Sequence, residues 1–370
     1  MKTLGIVFSS LHAGNIPELT GGRSLAGVPF GGRYRLIDFV VSSMVNSGVD
    51  TVGVITKHNY RSLMDHVGSG KFYGLARKYG GLIILPPFSA GDYGALFSNR
   101  LEALQANISF LRRYTHDYVV LSDCDNICNV DYREMIASHE RHNADITLLY
   151  REKEVQKYEK ERIVLTLDRS KRVTAVSITD NREGVVSVYG NIMVARRAFL
   201  IRLLEEASSS GLHSFSHDIL AKRTDTLRIF GYRFDGYFAS IDSLANYHRH
   251  TLEMLDERNR ASLFDKNRPV YTKVRDSAPT RYIGEADVRG SFIADGCVIE
   301  GTVENSVLFR GVRIGHGAVV RNSILMQSTA VGEDASLECV VTDKNVVIRE
   351  RRTLGGCEQL PYYVPKGTIL

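Results

Sequence analysis

Two arginines in a glycine-containing segment are side chains of a type suited to binding a phosphorylated ligand. The segment reads Gly31-Gly-Arg-Tyr-Arg35, which places the guanidinium groups of Arg33 and Arg35 at a loop. A guanidinium group binds phosphate through two parallel hydrogen bonds. Lys366 would add positive charge near these two arginines if the C-terminal part of the chain folds back. A structural role is the alternative, because Arg35 could pair with Asp38 and stabilise the start of a helix.

The polar loop after the first apolar run is a second position where a ligand could bind. The run 4–8 is typical of a buried parallel strand, and Ser9-Ser-Leu-His-Ala-Gly14 follows it. In open α/β sheets, ligands bind beyond the carboxyl ends of the strands. The sequence therefore predicts that this loop borders a ligand site.

The five cysteines have neither the spacing of a disulfide framework nor that of a complete metal site. They are Cys124, Cys128, Cys297, Cys339 and Cys357. An odd number without regular spacing is typical of reduced thiols in the cytoplasm. Cys124 and Cys128 could form half of a metal site, but no second Cys or His pair lies nearby in sequence. Packing in the core is therefore the favoured interpretation.

The elements that position these residues alternate between strand and helix over the first 150 residues. Short apolar runs at 51–56, 118–122 and 145–150 are separated by segments with apolar residues at helical spacing. This alternation predicts parallel βαβ units, and hence a doubly wound, Rossmann-like α/β sheet. We expect a long mobile loop at 68–81 and a long helix at 94–113. Consecutive strands from 162 to 196 predict an antiparallel portion within the same domain, which we place at 1–255.

The last third of the chain has a different period. Residues 256–280 are charged, contain two prolines and lack sustained periodicity, so they are interpreted as a linker. From 281 to 370, hexapeptides that begin with an aliphatic residue recur, for example at 293, 314 and 331. Hexapeptide repetition predicts a parallel β-helix, with about three hexapeptides in each coil and one insertion.

Composition excludes several classes of function. The net charge is +5 and the pI is about 8.8, without a basic stripe interleaved with aromatic residues, so nucleic-acid binding has little support. The N-terminal apolar run of five residues is too short for the core of a signal peptide, and no apolar span of about 20 residues occurs. We therefore expect a soluble cytoplasmic protein that does not bind a membrane.

Several motifs resemble those of bacterial ADP-glucose pyrophosphorylases, the glucose-1-phosphate adenylyltransferases. The resemblance rests on Phe30-Gly-Gly-Arg-Tyr-Arg-Leu-Ile-Asp38, on 46–54 and 79–87, and on the hexapeptide run 293–347, and it extends over nearly the whole chain. It implies a nucleotidyltransferase-type domain followed by a left-handed β-helix. It also implies that phosphorylated effectors bind to basic residues between the two domains.

The chain departs from this family at the positions that bind the nucleotide. In place of the phosphate-binding Gly-Gly-x-Gly-x-Arg-Leu loop, it has the residues 9–15. The family's two phosphate-binding lysines fall on Leu25 and near Thr179, and its second metal-binding aspartate is missing. Losing one such electrostatic contact typically lowers a rate by about 10²–10³. The sequence therefore predicts activity at or below detection.

Four positions match the family's substrate pocket. Asp125 aligns with the first Mg²⁺ ligand, so the resemblance implies a weak metal site there, although a polar residue at a strand end explains it equally well. Gly94, Gly190 and Asp218 align with other pocket positions. Gly190 and Asp218 also suit structural roles in a strand and at a helix start, and those roles are favoured.

The pattern is similar to that of the GlgD-type, non-catalytic subunit of glucose-1-phosphate adenylyltransferase. The resemblance implies a regulatory subunit in glycogen synthesis, with no tightly bound cofactor and with Mg²⁺ supplied through a catalytic partner. It implies a hetero-oligomer with that partner, most simply a tetramer, and a homo-oligomer when alone. Two alternatives stay open: a self-sufficient nucleotidyltransferase with an atypical site, and a stand-alone sensor of sugar phosphates or nucleotides.

Overall fold

The N-terminal domain is an α/β sheet covered by helices. The computed structural model describes residues 2–87, 97–155, 162–178 and 182–370. The strands of this domain are β1 (Thr3–Phe8), β2 (Pro29–Phe30), β3 (Tyr34–Arg35), β4 (Thr51–Ile55), β5 (Gly81–Leu85), β6 (Tyr118–Asp123), β7 (Asn126–Ile127), β8 (Ile146–Val155), β9 (Ile163–Leu167), β10 (Val173–Ile178), β11 (Gly184–Arg196), β12 (Ile229–Arg233) and β13 (Ala239–Ser240). The helices are α1 (Pro17–Thr20), α2 (Leu36–Asn46), α3 (Arg61–Val67), α4 (Arg100–Ala106), α5 (Ile108–Arg113), α6 (Tyr132–Arg141), α7 (Arg197–Ser209), α8 (Leu244–Leu252) and α9 (Glu257–Leu263), with a π-helix at Phe215–Ala221.

The main sheet confirms the predicted mixture of parallel and antiparallel strands. Its order is β10-β9-β11-β6-β1-β4-β5, and β8 pairs with β11 and with β12. The pairs of β1 with β4 and β6 are parallel, whereas β11 runs antiparallel to β6, β8 and β9. Every residue of β1 is buried, as expected for a central parallel strand covered on both faces. The carboxyl ends of β1 and β6 therefore lie side by side.

Two segments differ from the sequence-based expectation. The helix expected at 94–113 begins at Arg100 and is divided at Asn107 into α4 and α5; Gly94 lies outside the described residues. The segment 68–81, expected as a mobile loop, contains a 3₁₀ turn at Lys71–Tyr73. Tyr73 is buried, and its hydroxyl donates a hydrogen bond to Asp38 at 2.5 Å, which anchors the segment to α2.

The C-terminal domain is a parallel β-helix with three faces. Its first face consists of β14 (Arg281–Tyr282), β17 (Val298–Ile299), β20 (Arg313–Ile314), β23 (Ala330–Val331) and β26 (Val347–Ile348). The second consists of β15 (Asp287–Arg289), β18 (Thr302–Glu304), β21 (Val319–Arg321), β24 (Ser336–Glu338) and β27 (Thr353–Gly355). The third consists of β16 (Phe292–Ile293), β19 (Val307–Leu308), β22 (Ile324–Leu325), β25 (Val340–Thr342) and β28 (Tyr362–Val364).

Aliphatic residues stack on one another from one coil of the β-helix to the next. Ile299, Ile314, Val331 and Ile348 occupy equivalent places in successive coils and are buried in one core. The predicted coil starts at 293, 314 and 331 were wrong in part, because Ile293 lies on the third face and the other two lie on the first. The apparent insertion between them was an artefact of comparing two faces.

The two domains are joined by packed structure rather than by an open linker. Helix α9 lies within the segment 256–280 that the sequence analysis interpreted as a linker, and its Leu263 is buried in the core of the α/β domain. Arg23, from the loop after β1, forms two hydrogen bonds with Asp343 of the β-helix, at 2.6 and 2.7 Å. Both side chains are less than a tenth exposed. This buried ion pair holds the N-terminal loop against the β-helix.

We expect Asp343→Asn to destabilise the protein by about 3–5 kcal/mol, because it leaves the Arg23 guanidinium buried without its carboxylate. Urea unfolding of the purified chain measures this cost. The matched control is Asp287→Asn, which breaks an exposed pair with Arg289 in the same domain and should cost less than about 1 kcal/mol. Equal costs for the two variants would show that the interdomain pair contributes no more than a surface pair.

Candidate functional site

The loop after β1 leads His12 to the carboxyl end of β6. The backbone of Ser9 continues the sheet by donating to Ile55, and its carbonyl accepts a hydrogen bond from Ala26. A 3₁₀ turn at Ala13–Asn15 and the short helix α1 then complete the loop. The structure therefore places an imidazole where the sequence analysis expected a ligand-binding loop.

Four charged side chains meet at this end of the sheet. Nε2 of His12 lies 3.0 Å from Oδ2 of Asp123, and a guanidinium nitrogen of Arg100 lies 2.8 Å from the same oxygen. Donor atoms of His12, Asp123 and Asp125 lie within 4.8 Å of one another. Both aspartates are almost completely buried. We call these four residues the His12–Arg100 cluster.

Arg100 is held in place from several sides. Its guanidinium group donates to the hydroxyl of Tyr189 at 2.9 Å and to the carbonyl of Asn191 at 3.2 Å. It also lies 5.3 Å from the ring centroid of Phe8, a distance suited to a cation–π interaction. The group is therefore fully engaged within the protein.

The pKa values follow from this arrangement. Burial lowers the pKa of His12, but the carboxylates of Asp125 and Asp123 outweigh that effect and raise it from 6.5 to about 9. Burial and the neighbouring Asp123 carboxylate raise the pKa of Asp125 from 3.8 to about 6. Although Asp123 is buried, Arg100 and His12 keep its pKa below the usual value. At neutral pH, His12 and Arg100 are therefore cations that neutralise Asp123.

The same residues do not fit the Mg²⁺ ion that the sequence resemblance implies. Mg²⁺ prefers about six oxygen ligands in octahedral geometry. Here one of the three candidate donors is a nitrogen, and Asp123 already carries two cations. The Oδ1 atoms of Asp123 and Asp125 have no hydrogen-bond partner in the described part of the chain, but a ring nitrogen of His12 lies within 4.8 Å of an oxygen of each carboxylate. The cluster neutralises its own carboxylates.

The other predicted pocket positions have structural roles in this fold. The carbonyl of Gly190 accepts a hydrogen bond from Asn126 at 2.7 Å, and a Cβ at this position would lie 2.9 Å from atoms of Leu149 and Phe238. Asp218 accepts hydrogen bonds from two backbone N–H groups, at 3.1 and 2.9 Å, and from the amine of Lys222, so it closes the start of its own helix. Neither residue needs a ligand to explain it.

Cys124 and Cys128 pack in the apolar core, as the sequence analysis favoured. Burial raises the pKa of both thiols, which keeps them protonated. Neither belongs to the group of described residues that could share a metal ion.

A second site lies between the domains and is strongly basic. A small pocket of about 20 Å³ is bordered by six cationic side chains: Arg33, Arg35, Lys273, Arg275, Arg310 and Lys344. No carboxylate belongs to the described residues that line it. Next to it, a larger cavity of about 470 Å³ lies between Gly31, Gly32, Arg33 and the first coil of the β-helix. Arg33 borders both spaces. We call the smaller space the basic pocket.

The positive charges of the basic pocket are incompletely compensated. Burial, with the guanidinium groups of Arg35 and Arg23, lowers the pKa of Lys344 from 10.5 to about 7. Burial and the nearby Arg33 lower the pKa of Arg310 as well. Its Nε lies 3.6 Å from a carboxylate oxygen of Asp295 and has no hydrogen-bond partner within the described chain. A group of like charges held this closely favours an anion as its ligand.

Two of the three residues predicted for an effector line this pocket, and the third does not. Arg35 donates to the carbonyl of Ser62 at 2.5 Å, while its own backbone N–H donates to Asp38 at 2.9 Å. The predicted pairing of Arg35 with Asp38 therefore exists through the backbone and leaves the guanidinium group at the pocket. Lys366 is exposed and does not line the pocket. The lysine of the β-helix that lines it is Lys344.

Comparison with known proteins places these features in a family. A nucleotidyl transferase family model matches residues 16–174, and a GlmU-like C-terminal hexapeptide model matches 279–359. The glycogen biosynthesis protein GlgD of Geobacillus stearothermophilus is 36% identical over all of this chain and 97% of its own length. The GlgD of Bacillus subtilis (strain 168) is 33% identical over the same shares. The chain belongs to the same family as these two GlgD proteins.

A glucose-1-phosphate adenylyltransferase is also among the similar proteins. The glucose-1-phosphate adenylyltransferase of Geobacillus stearothermophilus is 33% identical over 86% of this chain and 83% of its own length. The hexapeptide match confirms the left-handed β-helix expected for a GlgD-like chain. The nucleotidyl transferase match begins at residue 16, just after the loop that carries His12. In the part of the chain that the structure describes, none of the helices combines the length and apolar character needed to cross a membrane.

We expect the substitution His12→Gln to remove a pH-dependent part of the stability. Because folding raises the pKa of His12, its stabilisation is complete below pH 6.5 and is lost as the pH rises through about 9. His12 is 37% exposed, so we discount for solvent screening and expect about 1 kcal/mol. The measurement is the difference in unfolding free energy between wild type and variant at pH 6 and pH 10. His58→Gln, at an exposed position, serves as control; a constant difference for His12→Gln would contradict the assignment.

Proposed function

We propose that this chain is a regulatory, catalytically impaired subunit of a cytoplasmic glucose-1-phosphate adenylyltransferase. It supports the synthesis of ADP-glucose from ATP and glucose 1-phosphate for glycogen. The observation that carries the proposal is the His12–Arg100 cluster at the carboxyl ends of β1 and β6. The names of the similar proteins, glycogen biosynthesis protein GlgD and glucose-1-phosphate adenylyltransferase, support the pathway.

The cluster argues against nucleotidyl transfer by this chain. Transfer from ATP requires groups that hold the triphosphate and a divalent ion that neutralises the developing charge. At this site Arg100 is engaged by Asp123, Tyr189 and Asn191, and Asp123 is neutralised within the protein. Neither side chain is available without breaking buried contacts. The Mg²⁺ of the reaction would therefore bind to a catalytic partner.

The basic pocket supports a regulatory role. It combines arginines of the α/β domain with Arg310 and Lys344 of the β-helix, so an anion bound there would contact both domains. The phosphate of an effector suits its guanidinium groups. The adjoining cavity of about 470 Å³ is within the usual range for small-molecule sites and has room for the rest of such an effector.

Exposed apolar side chains support assembly with other subunits. Tyr282, in the first coil of the β-helix, is 57% exposed, and Leu360 and Ile369 near the C-terminus are 76% and 60% exposed. The two ends of a β-helix also leave strand edges that a neighbouring subunit can cover. We propose a hetero-oligomer with the catalytic homologue, most simply a tetramer, and a homo-oligomer when the chain is alone.

We expect the isolated chain to transfer no adenylyl group at a useful rate. Assays with ATP, other nucleotides and several sugar phosphates in Mg²⁺ measure this. Turnover in the usual enzyme range of about 1–10³ s⁻¹ would support the alternative of a self-sufficient enzyme. Co-expression with the catalytic homologue, followed by light scattering and activity measurements, tests the rest. Ligand binding by a chain that never joins the partner would instead support a stand-alone sensor.

We expect Arg33→Ala to leave the complex intact and to raise the phosphate or effector concentration needed for half-maximal effect about tenfold, which corresponds to about 1.4 kcal/mol. The reason is the loss of one charged contact that borders both spaces of the site. The measurement is the partner's activity as a function of effector concentration. Lys366→Ala is the matched control, since it removes an exposed cation outside the pocket. Equal responses of the two variants would leave Arg33 with a structural role only.

A further inference from the structure

The amine of Lys344 is in an unusual environment for a lysine. It borders the basic pocket, in which every other charged side chain is also positive at neutral pH. The adjacent carboxylate, Asp343, already accepts two hydrogen bonds from Arg23 and one from the backbone N–H of Lys344. Tyr363 donates a further hydrogen bond to it at 3.2 Å. Asp343 is therefore a poor counter-ion for the amine.

We propose that Lys344 is a carbamylation site, at which its amine reacts reversibly with carbon dioxide. The lone pair of Nζ attacks the carbon of CO₂ and forms a C–N bond. One C=O electron pair moves to oxygen and gives a carboxylate, and the proton lost from nitrogen goes to solvent. No oxidant, reductant or further co-reactant is needed.

The surrounding charges favour the product over the ammonium form. Arg35, Arg23 and Arg275 repel a positive charge on Nζ, whereas the guanidinium groups of the pocket attract the negative carboxylate of a carbamate. Guanidinium groups are also well shaped to bind a carboxylate through paired hydrogen bonds. The same cations that disfavour protonation of Lys344 therefore stabilise its modified form. The lowered pKa described above is consistent with this, because only the unprotonated amine reacts.

The size of the pocket favours carbon dioxide as the reagent. The hydrogen bond made by the other lysine of the pocket favours Lys344 as the reactive residue. The carboxylate of a carbamate is small and planar, and a pocket of about 20 Å³ favours it over a bulkier adduct on the lysine. Lys273, the second lysine of the pocket, already donates a hydrogen bond to the carbonyl of Asp65 at 2.5 Å. Lys344 is thus the reactive one of the two.

Chemical trapping tests the proposal on the isolated full-length chain. The protein is equilibrated in ¹³C-bicarbonate buffer, treated with triethyloxonium ion to convert carbamates into stable ethyl esters, and digested for mass spectrometry. We expect a labelled adduct on Lys344 that depends on bicarbonate and is absent on Lys273. Lys344→Arg keeps the charge and should abolish the adduct. Absence of an adduct on Lys344 at saturating bicarbonate would overturn the proposal.

A second variant tests the stabilising role of the cations. Arg275→Gln removes one guanidinium group from an exposed position of the pocket while Lys344 remains, so we expect several-fold less adduct. Inorganic phosphate should also reduce the adduct, because it competes for the same cations. An unchanged yield in Arg275→Gln would refute the electrostatic argument. This inference goes beyond the regulatory role, and trapping needs no partner subunit, so the two proposals can fail separately.

Discussion

The buried ion pair between Arg23 and Asp343 joins the two domains at a boundary where their apolar cores also meet. Arg23 belongs to the loop that follows the first strand, and Asp343 belongs to a turn of the β-helix. A buried pair of this kind is strongly sensitive to the loss of either partner, because the remaining charge has no water to solvate it. The pair also fixes the neighbouring Lys344, whose backbone donates to Asp343. It therefore positions one side of the basic pocket.

The carboxyl end of the sheet and the basic pocket differ in how their charges are compensated. In the His12–Arg100 cluster, Asp123 pairs with both cations, and Asp125 lies within 4.8 Å of His12. In the basic pocket, four arginines and two lysines face one another without a carboxylate among the described lining residues. Self-neutralised sites gain little from an external ion, whereas an uncompensated site gains much. The charges therefore favour an anion at the boundary between the domains rather than at the end of the sheet.

Local periodicity was sufficient to predict most of the fold. Alternating strand and helix patterns gave the α/β domain, and the aliphatic residue of each hexapeptide gave the β-helix, because both signals repeat over short distances. The sites depend on contacts between distant residues, and these were harder to predict. Arg33 and Arg35 were identified by their loop, but Arg310 and Lys344 were not, although both lie in segments quoted for the family resemblance. The role of Arg100 had no local signal, since its polar partners come from two distant strands, β6 and β11.

The origin of the six cations in two domains has a consequence for their relative movement. Repulsion among these charges opposes the approach of the β-helix to the α/β domain, and the Arg23–Asp343 contact opposes their separation. An anion between them cancels part of the repulsion and so favours the closed arrangement. By thermodynamic reciprocity, any subunit contact that pulls the domains apart must weaken the anion's affinity by the same factor. Strain from subunit contacts and the concentration of a small anion would therefore act on the same equilibrium between closed and separated domains.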